Sequence, residues 1–235
     1  MFYIILGIIL GSILTFFRRI NVFPLRNWDE GWYAEITKNM ASGNYGLLIP
    51  YWNGRYYFDH SPLYFWLSAP FFKFFGSGEW QARIVSATAA VFVVIFIFLI
   101  GKKLVNILTG FFSALVFLTL GGVVMRFAHG NLDSLLVFFC LGTFYFYLKS
   151  EDKKKYSLLC GFCLGLGVLV KSWGIGMFPL FLIIVYAFFK ERKLPRNLHL
   201  ILPVAVASFF LVVYFRILEL WAPICILVCL EPIRK

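Results

Sequence analysis

The stretch IVSATAAVFVVIFIFLI occupies residues 84–100 and contains no charged residue. An α-helix rises about 1.5 Å per residue, so about 20 such residues cross the roughly 30 Å hydrocarbon core of a bilayer. Arg83 precedes the stretch, and Lys102 and Lys103 follow it closely. Long basic side chains at both ends let a slightly short helix span by reaching towards the interfaces. The stretch therefore predicts a membrane-spanning helix.

The rest of the chain has the same apolar character. Its 235 residues are 61% hydrophobic, with a mean hydropathy of +0.85, which is well above the range of soluble globular domains. Further apolar runs occupy residues 2–17, 104–125, 132–148, 156–170, 173–189 and 198–215. We therefore predict an all-α fold, a polytopic membrane helical bundle with about seven transmembrane helices.

The net charge of +11 belongs mainly to the ends of these runs. Basic residues that flank membrane helices are a commoner reason for such a charge than nucleic-acid binding, so we expect no nucleic-acid partner. The five cysteines lie in apolar runs and predict small buried side chains rather than a disulfide framework. They are Cys140, Cys160, Cys163, Cys225 and Cys229.

The distribution of basic loops predicts the orientation of the bundle. Three short basic loops are separated from each other by two predicted spans, so they share one membrane face, which the positive-inside rule makes cytoplasmic. They occupy residues 102–103, 149–155 and 190–196. The long loop 18–83, the turn 126–133 and Lys171 then lie on the opposite face. This predicts a multi-pass protein of the inner (plasma) membrane with these segments on the periplasmic or external face.

Most of the remaining ionisable residues fall on that outer face. Such groups are costly near membrane depth and mark functional sites by default, so we predict that they share one site. They are Asp29, Glu30, Asp59, His60, Arg126, His129, Asp133 and Lys171. For Asp29 and Glu30, a purely structural alternative stays open, because acids in a first helical turn stabilise the helix dipole.

The outer loop 18–83 carries five of the seven tryptophans, which favour the headgroup level. We expect a helix over roughly 28–40, capped by Asn27, with an apolar face formed by Trp28, Trp32, Ile36 and Met40. Asn53-Gly54 predicts a type I′ hairpin. Residues 63–75 predict an interfacial helix, bent or broken at Pro70.

Five segments, taken in order, resemble the GT-C glycosyltransferases, and most closely the aminoarabinose transferase and protein O-mannosyltransferase-like group. They are Asp29-Glu30 with Tyr33-Ala34 and Met40, Phe58 to Trp66, Arg83 to Ala87 with Gly101 to Leu104, Arg126 to Leu135, and Gly165 to Lys171. The resemblance covers about residues 1–215. Two positions depart from the family pattern: Ser61 replaces the second residue of a proline pair, and Ser172-Trp173 replaces Gly-Pro after Lys171.

The resemblance predicts a GT-C-like transmembrane domain over residues 1–217 and a short apolar tail over 218–235. Family members are longer, so we expect a fragment, a truncated gene product or a minimal relative. By resemblance the donor is a polyprenyl-phosphate-linked sugar and no nucleotide or organic cofactor is needed. The predicted activity is that of a membrane glycosyltransferase. Its acceptor is a hydroxyl or phosphate of a glycolipid such as lipid A, of another glycan, or of a protein in the cell envelope.

Roles for the individual residues follow from the chemistry of such a transfer. A poor hydroxyl nucleophile gains from a positioned base, so we predict Asp29 as the base, with Glu30 orienting a partner or a metal ion. Asp133, also predicted as a catalytic residue, either holds a divalent cation with Asp29 or fixes a basic residue as an ion pair. The departing phosphate needs cations, which predicts donor-phosphate binding by a basic set. Its members are Lys171, Arg126, Arg83 and His60. Asp29, Asp133 and Asp59 are the candidate ligands for a divalent metal ion.

Other functions stay open at this level. Two carboxylates, Asp29 and Asp133, would also suit the hydrolysis of a glycosidic bond. A transporter or flippase for a lipid-linked or anionic solute is a second alternative, although transporters usually place polar groups near the midplane of the bilayer. An inactive truncated remnant of the family is the third.

Overall fold

The computed structural model describes residues 2–18, 20–43, 49–192, 195, 197–204, 206–207, 210 and 214. Within these residues the chain is mainly helical, with ten helices and one two-stranded sheet. The helices are α1 (Phe2–Phe17), α2 (Asp29–Ser42), α3 (Leu63–Phe75), α4 (Glu79–Leu104), α5 (Ile107–Thr119), α6 (Gly121–Ala128), α7 (Leu132–Ser150), α8 (Tyr156–Val170), α9 (Trp173–Gly176) and α10 (Phe178–Glu191). The strands are β1 (Tyr51–Trp52) and β2 (Arg55–Tyr56).

Two helices of the described chain, α4 and α7, are long and apolar enough to cross a membrane by themselves. The predicted span 104–125 is instead two helices, α5 and α6, whose axes differ by 74°. The break falls at Leu120, which is extended and is followed by Gly121 and Gly122, and glycine lowers the cost of leaving a helix. With this pair counted once there are up to three candidate spans, and α1, α8 and α10 are shorter apolar helices. The expected number of seven spans is therefore not confirmed.

The helices that correspond to the predicted spans form a bundle around α4. Helix α4 contacts α1, α5 and α7, and α7 contacts α8. Ala87 and Ala90 are fully buried in α4, and small side chains there let neighbouring helices approach closely. The predicted span 198–215 is only partly described, with residues 198–204 helical, and the predicted tail 218–235 lies outside the described residues.

Helices α2 and α3, which lie between α1 and α4 in the chain, fold onto the end of this bundle. Ile36 and Met40 of α2 and Phe65 of α3 are at most 1% exposed, and they belong to one apolar cluster with Leu132 of α7 and Val170 of α8. Burying these faces fixes α2 and α3 over the ends of α7 and α8. The side chains at the start of α2 are thereby brought close to those helix ends.

Helix α2 begins one residue later than predicted, and Asn27 is not its N-cap. The N-cap is Trp28, whose side chain makes no capping hydrogen bond. The first turn is held instead by Glu30, whose carboxylate accepts the backbone N–H of Arg26 at 2.8 Å. The predicted apolar face is half correct, because Ile36 is buried whereas Trp28 is 71% exposed.

The hairpin is confirmed. Strands β1 and β2 are antiparallel, with Tyr51 opposite Tyr56, and Asn53 and Gly54 have φ values of 49° and 81°. Positive φ at both central residues defines the predicted type I′ turn. Helix α3 forms over the predicted residues and continues through Pro70, so the chain does not break there.

Candidate functional site

Four charged side chains form a continuous chain of ion pairs at the start of α7. Lys171 Nζ lies 3.0 Å from Asp133 Oδ1. Arg126 Nε donates to the other oxygen of Asp133, Oδ2, at 2.8 Å, and Arg126 Nη2 lies 2.6 Å from the same oxygen. Arg126 Nη2 also lies 3.2 Å from Asp29 Oδ2. The structure thus brings together Asp29, Asp133, Arg126 and Lys171, as the sequence predicted for one shared site.

Each of these residues is held at the end of a helix. Asp29 starts α2, Asp133 lies in the first turn of α7, Arg126 is near the end of α6, and Lys171 directly follows α8. Asn131 caps α7: its side-chain oxygen accepts the N–H of Asp133 at 2.9 Å, which orients that helix start. Sequence reasoning did not assign Asn131 a role, although its position two residues before an acid is typical of an N-cap.

The two acids of the ion-pair chain, Asp29 and Asp133, differ in how many of their carboxylate oxygens accept hydrogen bonds. Both oxygens of Asp133 accept hydrogen bonds from cations, whereas Asp29 is bound only through Oδ2 among the described residues. Asp29 is 38% exposed and Asp133 27%. Partly exposed ion pairs of this kind are weak and sensitive to salt, so a ligand can rearrange them. Asp29 therefore keeps one carboxylate oxygen, Oδ1, without a hydrogen-bond partner among the described residues.

Glu30, adjacent to Asp29, belongs to a separate and buried ion pair. Its Oε1 lies 2.7 Å from Arg83 Nε, and both side chains are 3% exposed. Arg83 Nη2 donates to Glu30 Oε2 at 3.2 Å and to the carbonyl of Pro24 at 3.1 Å. Arg83 Nη1 donates to the carbonyls of Ile20 and Phe23 at 3.0 and 2.8 Å. All five N–H donors of this guanidinium are therefore used.

Glu30 is equally well satisfied. It accepts the backbone N–H groups of Arg26 and Gly130, the latter at 2.9 Å. Gly130 sits so close to Ala82 that a side chain at position 130 would overlap the Ala82 carbonyl oxygen. Burial alone would raise the pKa of Glu30, but the hydrogen bonds from Arg83 and the two N–H groups hold it below its ordinary value.

This geometry argues against donor-phosphate binding by Arg83 and against direct participation of Glu30 in catalysis. Arg83 has no donor left for a phosphate, and Glu30 is enclosed by its partners, so neither is placed to touch a substrate. Both instead fix α2 against α4 and the loop before α2, which positions Asp29. Adjacency in sequence misled the prediction, because consecutive side chains point in different directions around a helix.

His60 lies beside the chain of ion pairs and does not join it. Its ring meets the rings of Tyr33 and Tyr57 edge-on, with centroids 5.9 and 6.1 Å away. Burial and the positive charge of Lys171 lower the pKa of His60, so its neutral form prevails at pH 7. It can donate one hydrogen bond to a phosphate but brings no positive charge. The backbone of the same segment reaches the site, since Ser61 N–H donates to the Lys171 carbonyl at 3.3 Å.

The residues predicted to hold a metal ion do not converge. Asp29 and Asp133 are joined by the guanidinium of Arg126, and Asp59 is exposed. Within the described part of the chain no group of three His, Cys, Asp or Glu side chains is placed to bind a metal. This arrangement does not fit a metal centre. The divalent ion therefore stays a prediction, and no step below depends on it.

Three tryptophans extend from the site along the surface. The Trp28 and Trp32 rings are stacked with centroids 5.3 Å apart, and the Trp52 ring of the hairpin lies 5.0 Å from Trp32. Trp28 adopts a φ of 82°, a conformation that is unfavourable for a bulky residue. The sequence had placed Trp28 and Trp32 on an apolar face with Ile36 and Met40. Their i, i+4 spacing around Asp29 was the available signal for a stacked pair.

The site opens into a pocket of about 220 Å³. Its lining residues come from the start of α2 and from the turn between α6 and α7. They are Arg26, Asn27, Trp28, Asp29, Glu30, Arg126, His129, Gly130 and Asn131. The pocket gives a small ligand access to Asp29 and Arg126 together.

Comparison with known proteins assigns the family. The sequence model of the family described as dolichyl-phosphate-mannose-protein mannosyltransferase matches residues 59–216, which is more than half of the chain. The chain belongs to this family. The match contains three members of the ion-pair chain, Arg126, Asp133 and Lys171, and begins after Asp29.

Two curated relatives are undecaprenyl phosphate-α-4-amino-4-deoxy-L-arabinose arabinosyl transferases. The protein of Pseudomonas savastanoi pv. phaseolicola is 29% identical over 171 residues, which cover 70% of this chain and 32% of the relative. That of Wigglesworthia glossinidia brevipalpis is 27% identical over 198 residues, which cover 81% and 35%. The chain thus spans about a third of the length of these relatives.

Solved structures show a similar fold. The crystal structure of ArnT from Cupriavidus metallidurans bound to undecaprenyl phosphate superposes with a TM-score of 0.74 at 21% identity, over 88% of this chain and 41% of that one. The oligosaccharyltransferase of Archaeoglobus fulgidus in the apo form gives a TM-score of 0.68 at 16% identity, over 90% and 29%. The bundle with α2 and α3 therefore has an ArnT-like fold.

Proposed function

We propose that this chain carries the catalytic site of a membrane glycosyltransferase. It would move a sugar from a polyprenyl-phosphate donor to a hydroxyl or phosphate of an acceptor at the outer membrane face. The observation that carries the proposal is the ion-pair chain, which ends on one side in a partly exposed carboxylate, Asp29, and on the other in a cation, Lys171. A base and a phosphate-binding cation are the two groups that this transfer needs.

The proposed reaction uses these groups in the following way. The acceptor oxygen attacks the anomeric carbon of the sugar and passes its proton to Asp29. The new bond is formed between that carbon and the acceptor oxygen, while the bond from the carbon to the phosphate oxygen breaks. The polyprenyl phosphate leaves with the electron pair, and its negative charge is stabilised by Lys171 and Arg126.

Both cations keep donors for this purpose. An ammonium group has three N–H donors, and Lys171 uses one of them for Asp133. Arg126 uses Nε and Nη2 for the two acids, and its Nη1 has no partner among the described residues. We assign Asp133 the role of a positioning residue, since it holds both cations at the place where the phosphate charge develops.

The names of the relatives support a lipid-phosphate donor. Two curated relatives are named as arabinosyl transferases of an undecaprenyl-phosphate-linked sugar, and a structure of similar fold was solved with undecaprenyl phosphate bound. We extend the class of donor, a sugar on a polyprenyl phosphate, to this chain. Placement in the inner membrane, with the site on the periplasmic or external face, is part of the same proposal. The one-sided position of the charged residues favours a transferase over a transporter.

The test is transfer by membranes that contain the full chain. A polyprenyl-phosphate sugar with a radiolabelled sugar is supplied, and label in extracted glycolipid, glycan and protein is counted. We expect transfer with the wild type, loss of at least about 10²-fold with Asp29→Asn, and no loss with Glu35→Gln, an exposed acid of the same helix. Equal amounts of folded protein must be present. Label released only as free sugar would identify a hydrolase, and unchanged transfer by Asp29→Asn would remove Asp29 as the base.

A further inference from the structure

Three tryptophan rings form a row that ends at the candidate site. The Trp32 ring contacts both others, with its centroid 5.3 Å from that of Trp28 and 5.0 Å from that of Trp52. Trp52 packs against the apolar cluster that contains Ile36 and Met40, whereas Trp28 is 71% exposed. This tryptophan row, Trp28, Trp32 and Trp52, is thus anchored at the hairpin, and Trp28 is its exposed end.

Two further features fix the position of the row. The hairpin is fastened to α2 by Asn39 Nδ2, which donates to the Tyr51 carbonyl at 3.2 Å and so keeps Trp52 beside that helix. Trp28 itself has a φ of 82°, a conformation that costs free energy in a bulky residue. Backbone strain of this kind persists only where the surrounding structure imposes it, and it is concentrated at catalytic and ligand-binding sites. The anchoring and the strain together indicate a binding surface.

Trp28 also lines the 220 Å³ pocket that contains Asp29. It is the one large apolar side chain among the described lining residues, and the others are Gly130 or carry polar groups. Two of these polar groups have no hydrogen-bond partner among the described residues: Oδ1 of Asp29 and Nη1 of Arg126. The pocket is smaller than the roughly 300–1,000 Å³ of pockets for drug-sized ligands, so it suits a single small ring.

A sugar ring combines the two properties for which this pocket is built. Its C–H groups form an apolar face that packs on an aromatic ring, and its hydroxyl groups donate and accept hydrogen bonds at the edge. An acyl chain offers no partner to the carboxylate of Asp29 or to the guanidinium of Arg126, and leaving such groups desolvated without hydrogen bonds is costly. The polar lining therefore favours a sugar over a lipid tail beside Trp28.

We propose that Trp28 is the stacking surface of a monosaccharide site. One face of its indole ring lies against Trp32, and the opposite face receives the sugar ring, whose hydroxyl groups bind Asp29 and Arg126. The ring belongs either to the sugar of the donor or to a sugar of the acceptor, and both need the same chemistry from the pocket. That the bound sugar takes part in transfer rests on the proposed function, while its binding at Trp28 does not.

The test is the binding of free sugars by the full chain in a detergent without a sugar headgroup, measured by saturation-transfer difference NMR. The probes are the methyl pyranosides of glucose, mannose, galactose and arabinose, and the reference is sorbitol, a polyol without a ring. We expect a pyranoside to bind and sorbitol not to bind. Trp28→Ala should lower the affinity about tenfold, and Trp28→Phe, which keeps an aromatic face, should retain most of it. The matched control is Phe74→Ala, which removes an exposed aromatic ring that does not line the pocket.

A second measurement identifies the source of the sugar. Undecaprenyl phosphate, both free and linked to the sugar that binds best, is tested with the wild type and with Trp28→Ala by native mass spectrometry. A loss of affinity for the linked form alone assigns the stacking surface to the sugar of the donor. Unchanged affinity for both forms, together with the loss of pyranoside binding, assigns it to a sugar of the acceptor.

Several results would overturn the proposal. One is the absence of pyranoside binding by the wild type. Another is equal pyranoside affinity in the wild type and Trp28→Ala, which would leave the tryptophan row as an anchor at the membrane interface. An equal loss in Phe74→Ala, or an equal loss of affinity for free undecaprenyl phosphate, would show that the effect is not specific to a sugar on Trp28. Sugar binding as expected, by a chain that performs no transfer, would keep the sugar site and reject the transferase.

Discussion

Arg83 Nε lies 2.7 Å from Glu30 Oε1, although the two residues are 53 positions apart and both side chains are 3% exposed. A buried ion pair of this kind is stable only because its remaining donors and acceptors are also satisfied. Here backbone groups of the loop before α2 and of Gly130 satisfy them. The pair therefore ties α2, α4, the loop before α2 and the turn at Gly130 together, next to Asp29.

The first prediction concerns this buried pair. Glu30→Ala or Arg83→Met alone should lower the free energy of unfolding by about 3 to 5 kcal/mol, because each leaves a buried charge without its partner. Glu30→Leu combined with Arg83→Met should cost less than either single change. Thermal denaturation in detergent measures this. A phosphate-binding role for Arg83 predicts instead a stable protein that has lost donor affinity.

The second prediction is the response of stability to acid. The folded-state pKa of Glu30 is below its ordinary value of 4.5. Its contribution to stability is therefore complete above pH 4.5 and is lost as the pH falls through the folded-state pKa. As the pH falls below 4.5, the melting temperature of the wild type should drop. The Glu30→Gln variant should have a lower melting temperature at neutral pH and should lose less of it in acid. The control is Glu35→Gln, which changes an exposed acid, and its melting temperature should fall in acid as that of the wild type does. The same fall in all three proteins would contradict a lowered pKa of Glu30.

The third prediction separates two roles for Lys171: binding the donor phosphate, or only extending its side chain towards the membrane interface. Lys171→Met should reduce donor use by roughly 10²-fold, because it removes a fixed cation from the site of developing charge. Lys171→Arg should lose much less, since it keeps the charge in a different geometry. The ion pair with Asp133 is partly exposed, so the amount of folded protein should hardly change. The measurement is the rate of transfer as a function of donor concentration, with Lys102→Met as the control. The same dependence on donor concentration in the wild type and in Lys171→Met would mean that Lys171 only reaches towards the interface.

The fourth prediction uses His60 as a reporter of the same site. The charge of Lys171 is one of the two causes that lower the pKa of His60. Lys171→Met should therefore raise the pKa of His60 towards its ordinary value of 6.5, while Lys102→Met should leave it unchanged. Titration of the histidine ring signals by NMR gives both values. A pKa that is the same in all three proteins would place His60 and Lys171 farther apart.

The fifth prediction concerns the backbone next to Asp29. Trp28 has a φ of 82°, which glycine adopts at little cost and other residues do not. Trp28→Gly and Trp28→Ala both remove the indole ring, so their difference isolates the backbone. The glycine variant should be more stable by about 1 kcal/mol, measured by thermal denaturation. A more stable alanine variant would show that residue 28 has a negative φ.

The sequence by itself determined several of the local elements. Helices α1 and α8 have the predicted bounds, because uninterrupted apolar runs satisfy their backbone hydrogen bonds locally. The hairpin at Asn53 and Gly54 was equally predictable, since the type I′ turn depends only on those two residues. The sequence also predicted that Asp29, Asp133, Arg126 and Lys171 lie close together, as they do.

Only the tertiary structure decided how those charges pair. Asp29 and Glu30 are adjacent, yet one binds Arg126, 97 residues away, and the other binds Arg83, 53 residues away. Likewise, the break between α5 and α6 lies within one apolar run. Local pattern sets hydrogen bonding within a helix, but the partner of a charge depends on which helix ends meet when the apolar faces are buried. That is a property of the packed bundle, and it made Asp29 the exposed carboxylate and Glu30 the buried one.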